Sequence, residues 1–167
     1  MPVGGMSVEV HEVLPAGPAA QVAALEAQAW PGSAPGHDPA LAPRAVLLLD
    51  ADGRLAASLA LLHKPVRLAD GRTYRAAGLS AVVTRADLRG RGYGSRLVAA
   101  ARAELAADPA VDLALFSCDR ELVPFFAQGA GPADGEGVDD EGRADEVRAA
   151  FTGIRVPLYP GTVDRLW

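Results

Sequence analysis

Arginines gather at one place in this chain. Arg85, Arg89, Arg91, Arg96 and Arg102 lie close together around the run Arg89-Gly90-Arg91-Gly92-Tyr93-Gly94. A β-branched stretch, Val82-Val83-Thr84, precedes the run, and a stretch with helical periodicity follows it. Glycines at 90, 92 and 94 carry no side chains, so a ligand can approach the backbone closely. The first amides of a helix have no intrahelical acceptor and sit at the positive end of its dipole. With Arg89 and Arg91 beside them, they suit a pyrophosphate-like anion. The glycine spacing does not match the dinucleotide fingerprint, and no Gly-Lys-Ser/Thr is present. Neither a Rossmann domain nor a P-loop fits.

The elements that must position this turn can be read in order. Ser7 to Leu14 alternates as a first strand, and Pro18 opens a helix with Val22, Leu25, Glu26 and Ala29 at helical spacing. Pro31 to Pro43 is rich in proline and reads as a loop with at most a short helix. Ala45 to Leu49, Arg54 to Leu68 and Thr73 to Thr84 are three strands, separated by turns at Asp50-Ala51-Asp52-Gly53 and Asp70-Gly71. Gly92 to Ala107 carries Leu97, Val98, Ala101 and Leu105 on one face, an amphipathic helix ended by Asp108-Pro109. Val111 to Ser117 is a short strand, Glu121 to Gln128 starts a helix, and Ala149 to Val156 reads as a last strand. Strand, helix, strand at this spacing implies a right-handed crossover. The expected architecture is therefore α/β (α+β): a mixed central sheet, antiparallel first and then a parallel pair, flanked by helices in one domain over residues 1–167.

Composition narrows the partners. The net charge is −5, with 21 acidic and 16 basic side chains, and Lys64 is the only lysine. Such a chain is a poor ligand for nucleic acid or for an anionic membrane. A separate Arg/Gly RNA-binding segment is disfavoured by that charge and by the regular flanking elements. Cys118 is the single cysteine, so no intramolecular disulfide forms. Met1-Pro2-Val3-Gly4-Gly5 lacks the basic start of a secretion signal, and a cytoplasmic protein is expected. Gly129 to Glu146 is glycine-rich and acidic, a solvated loop or an acidic rim for a cationic substrate. His11, His37 and His63 show no metal-ligand spacing, so no metal is expected. Of the three, His63 inside a strand run is the best placed to act as a base.

The sequence resembles the GNAT superfamily of N-acetyltransferases. Arg89-x-x-Gly92-x-Gly94 matches its signature after the fourth strand, and the element order agrees over Ser7 to Phe126. The resemblance implies acetyl-coenzyme A as co-substrate, its pyrophosphate on the amides of Arg89, Gly90, Arg91, Gly92, Tyr93, Gly94 and Ser95. It implies that the pantetheine arm lies along Val82, Val83 and Thr84, in a splay between that strand and Leu113 to Ser117. Direct attack by a small-molecule primary amine follows, with the amide near Val82 or Val83 polarising the thioester carbonyl. Phe126 stands where many relatives carry a tyrosine acid, and Ser80 where they often carry a strand glutamate. Val82, Ser80 and Asp119 are the catalytic candidates; at the fifth strand's end Asp119 could also bind substrate or serve as a helix N-cap. A distant likeness to aminoglycoside 2′-N-acetyltransferases adds Trp30, Asp164 and Trp167 as acceptor-binding candidates. An alternative implied role is a degenerate module that binds acyl-coenzyme A or a partner without efficient turnover. A homodimer is left open.

Overall fold

In the computed structural model, residues 5–34, 36–114, 120–122, 124–125, 146–147 and 149–150 are described. Their framework is a five-stranded sheet in the order β1-β2-β3-β4-β5. It comprises β1 (Ser7–His11), β2 (Arg44–Leu49), β3 (Leu55–Arg67), β4 (Thr73–Thr84) and β5 (Leu113–Ala114). The first three pairings are antiparallel and β4 pairs β5 in parallel. Helix α1 (Ala16–Ala29) follows β1, and α2 (Tyr93–Ala107) makes the crossover from β4 to β5. This is the mixed α+β architecture that the element pattern predicts.

The turns form where short polar side chains and glycine close them. Asp50 accepts through Oδ1 from the amides of Asp52 at 3.0 Å and Arg54 at 2.9 Å, and Gly53 takes φ +73°. Gly71 closes the β3–β4 turn at φ +91°, a left-handed conformation that costs glycine little. Beyond the turns, β2 is apolar from Ala45 to Leu49 because both faces of the sheet are covered. Leu47 and Leu49 pack with Leu55, Val83 and Leu25 of α1. Val46 and Leu48, on the other face, pack with Leu59, Leu61 and the α2 residues Leu97, Ala101 and Leu105.

Local differences from the sequence reading have simple causes. Helix α1 begins at Ala16 behind Pro15, so Pro18 sits inside the first turn, where its missing N–H has no intrahelical acceptor to lose. The Pro31–Pro43 loop contains one 3₁₀ turn, Pro39–Leu41, started by Asp38 accepting from the Ala40 amide. Ala149 and Ala150 are helical, so the last strand fails at its first two residues. Ala150 and Val147 bury themselves against Leu68 and Tyr74, a packing that helical spacing satisfies. No helix among the described residues is long and apolar enough to cross a membrane.

Candidate active site

The centre of the site is an irregularity in β4. Ser58 of β3 faces Val83, while Ala60 faces Ser80. One β3 residue, Leu59, therefore stands opposite two β4 residues, Ala81 and Val82. This is a β-bulge, which removes one residue from the ladder and re-aims its neighbours. Ala81 takes φ +51°, a conformation that costs an L-residue about 1–2 kcal/mol and recurs at functional sites. Val82 leans toward the α2 face and Val83 toward the α1 face.

From the bulge, β4 runs directly into the glycine-arginine turn. Arg85 grips it: its amide donates to the Ala56 carbonyl at 2.8 Å, and its guanidinium donates to both Asp87 oxygens at 2.7 and 3.1 Å. The bond with Arg85 holds the Asp87 carboxyl below the usual carboxylate range. Arg89 Nε donates to the Thr84 carbonyl at 3.2 Å, bending the turn back on the strand. Gly92, at φ +80°, caps α2, and no side chain bonds the first-turn amides. A side chain at Gly90 or Gly92 would meet no atom within 4 Å, so the surface above both is open.

The structure separates the roles of the residues in this turn. The five arginines do not act as one basic island: Arg85 is committed to Asp87, and Arg96 donates to the Met6 carbonyl at 2.9 Å. Arg89 and Arg91 are exposed and have no carboxylate within ion-pair distance among the described residues. Gly94 also has a packing reason to be glycine. A Cβ there would lie 3.2 Å from Thr84 Oγ1 and 3.3 Å from the Phe125 ring.

Two adjoining cavities open on the α1 face of the sheet. One, about 300 Å³, reaches the bulge and is lined by Glu26, Trp30, Ser33, His37, Ser80 and Ala81. The other, about 280 Å³, continues along α1 past Leu14, Val22, Ser58, Leu59 and Ala60. Ala23, Glu26, Gly36 and His37 line both. Ser80 and Trp30 thus line one cavity. His63 lines neither of these two cavities, and its Nδ1 lies 3.0 Å from the Ala42 carbonyl. Asp119, Asp164, Trp167, Phe126 and Cys118 lie outside the described residues, as do the acidic segment 129–145 and the far part of the β4–β5 splay.

Glu26 is the residue that sequence reasoning passed over as one more helical position. It is the only charged residue of α1, next to Leu25 and one turn after Val22. That combination, a lone acid on the apolar edge of an alanine-rich helix, was the available signal. Burial raises its pKa above the ordinary 4.5. A folded pKa above the unfolded one means that stability falls as pH rises through that window, and the cost persists at higher pH. Glu26→Gln should therefore raise the melting temperature relative to the parent at pH 8 and leave the two equal near pH 4. An equal difference at both pH values would contradict this reading.

With this geometry in view, the chain can be set beside known proteins. The family model of the acetyltransferase (GNAT) domain matches residues 17–121. No curated protein sequence matches the chain. An acetyltransferase from Trypanosoma brucei is similar in structure, with TM-score 0.57 and 16% identity over 81% of this chain and 98% of its own. Glucosamine-6-phosphate N-acetyltransferase from Arabidopsis thaliana gives TM-score 0.55 and 11% identity over 80% of this chain and 97% of its own. An aminoglycoside acetyltransferase from an uncultured soil metagenomic sample, solved with trehalose, gives 0.55 and 12% over 80% and 92%. At such identities these structural likenesses concern the fold.

Proposed function

The chain belongs to the GNAT acetyltransferase family, and on that footing we propose that it moves acetyl from acetyl-coenzyme A to the primary amine of a small molecule at the Ala81–Val82 bulge. The observation that carries this reading is one continuous arrangement. A bulged strand adjoins an acceptor-sized cavity on one face and leads at its end into an uncapped, glycine-lined helix start.

The residues present fit the coenzyme. The amides of Tyr93, Gly94 and Ser95, with Arg89 and Arg91 exposed beside them, hold pyrophosphate oxygens. The open surface over Gly90 and Gly92 admits those oxygens to the backbone. Val82, Val83 and Thr84 line the course of the pantetheine arm. When bound, acetyl-coenzyme A supplies the acetyl thioester that the amine attacks.

The protein's own contribution is placement and polarisation. The backbone amide of Val82, beside the bulge, would face developing negative charge on the carbonyl oxygen, an interaction stronger in the transition state than before it. Trp30 and Ser80 bound the space from which the amine approaches the bulge. Holding both reactants in one orientation is by itself a large part of the rate.

Release of coenzyme A thiol, followed with dithiobis-nitrobenzoate against a panel of primary amines, tests the reading. Amine-dependent thiol release is the expected result. Binding of acetyl-coenzyme A with no release from any amine would overturn the transfer reaction, and absence of binding would overturn the coenzyme site.

A further inference from the structure

We propose that the acceptor is a primary amine carrying an apolar body, with its ammonium group seated at Glu26, which takes its proton, and its body in the cavity under α1. The proposal deepens the acetyl-transfer reading and rests on it for the reaction, but not for the binding.

Three observations converge. Glu26 is the one carboxylate that lines both cavities among the described residues, so a group beside it can reach either the bulge or the inner space. No cation stands within ion-pair distance of it among those residues. The other charged linings of the inner cavity are answered elsewhere: Arg44 lies 3.6 and 3.5 Å from Glu104 and Asp108, and His11 lies 2.8 Å from Glu9. His37 also lines the cavity, and Glu12 is exposed. Finally, the inner cavity is walled by Leu14, Val22, Leu59 and Ala60, and at about 280 Å³ it is at the small end for small-molecule sites. It suits one ring or a short alkyl chain, and not several charged sugars.

Two buried polar atoms of residues lining that cavity, Arg44 Nε and Ser58 Oγ, have no hydrogen-bond partner among the described residues. Ser58 is 2% exposed. A buried hydroxyl without a partner costs stability that a ligand oxygen would recover. The proton step balances simply. The ammonium gives H⁺ to the Glu26 carboxylate, leaving a neutral amine with a free lone pair and a neutral carboxylic acid. The raised pKa of Glu26 supports this, because a carboxylate disfavoured as an ion is a better proton acceptor. Strand β4 offers Ser80 and no carboxylate at this point, so the acid comes across the cavity from α1.

The test uses the intact chain and four probes: 2-phenylethylamine, its uncharged counterpart 2-phenylethanol, kanamycin and acetyl-coenzyme A. Affinities are measured by calorimetry, the first three without coenzyme. In Glu26→Gln, 2-phenylethylamine should bind at least about tenfold more weakly while 2-phenylethanol is unchanged. Turnover of the amine should fall about 100-fold, with partial recovery in Glu26→Asp. Ala23→Leu, at an exposed helical position lining both cavities, should weaken both phenyl probes and leave acetyl-coenzyme A affinity as in the parent. Unchanged amine affinity in Glu26→Gln, or kanamycin acetylated in preference to 2-phenylethylamine, overturns the proposal. If the parent still releases coenzyme A thiol with some primary amine in either case, the transfer reading stands and only the acceptor assignment falls.

Discussion

Gly92→Glu should bind acetyl-coenzyme A at least about 100-fold more weakly than the parent, a loss of about 2.7 kcal/mol. Two effects act at this position. Gly92 holds φ +80° as the cap of α2, a conformation that costs a residue with a Cβ about 1–2 kcal/mol. That cost is borne by the fold and is shared by any replacement. The second effect belongs to glutamate alone. Its carboxylate would stand over the first-turn amides and compete there with the pyrophosphate for the same donors and the same dipole end. Gly92→Ala separates the two. Because a Cβ at this position meets no atom within 4 Å, alanine should reduce the stability and change the affinity by no more than a few fold. Calorimetric titration of both variants decides the matter. Equal affinity of Gly92→Glu and the parent would remove the anion from this helix end. Equal losses in the two variants would make the glycine's role purely conformational.

The features that could be read from residues alone are those with a steric or periodic signature. The hexapeptide was legible because left-handed Gly90 and Gly92 must be glycines wherever that turn occurs, and both take positive φ. Strand β4 was legible to the residue because Asp70-Gly71 starts it and the charged Arg85 ends its apolar run. The bulge was not. Ala81 carries no residue type that signals φ +51°, and the register slip exists only when β3 is laid beside it. The arginine cluster was legible as density but not as function. Proximity in sequence cannot tell that Arg85 turns to Asp87 and Arg96 to the Met6 carbonyl. Glu26 needed the fold for a similar reason. Helical periodicity put it near the apolar edge of α1, but only the packing of α1 over the bulged strand makes that edge a cavity wall. The acceptor side of the site, assembled from α1, the loop after it and β4, is a product of tertiary contacts between distant segments.

Leu97→Ala should give the largest stability loss of any single α2 substitution, about 2–5 kcal/mol in a chemical denaturation experiment. Leu97, Ala101 and Leu105 recur every four residues and form the buried stripe by which α2 holds the sheet. Leu97 is 0% exposed and packs in the cluster with Val46, Leu48, Leu59 and Leu61. One turn on, Ala101 is likewise 0% exposed and too small to swing into the space left behind, so the cavity persists. Against a typical total of about 5–15 kcal/mol, a loss of that size brings the fold near its threshold. Charge on the same helix is worth far less. Glu104→Ala removes a 3.6 Å pair with Arg44 whose glutamate side chain is 42% exposed, and should cost at most about 1 kcal/mol. The contrast also bears on function, because the turn anchored by Leu97 presents the proposed anion site. Acetyl-coenzyme A at about 100 times its dissociation constant should return about 2.7 kcal/mol to Leu97→Ala if the helix start is retained in the folded variant. A loss below about 1 kcal/mol for Leu97→Ala would mean that α2 is not held by this stripe. Full destabilisation without recovery by the coenzyme would mean that the helix start and the anion site come apart when the stripe is weakened.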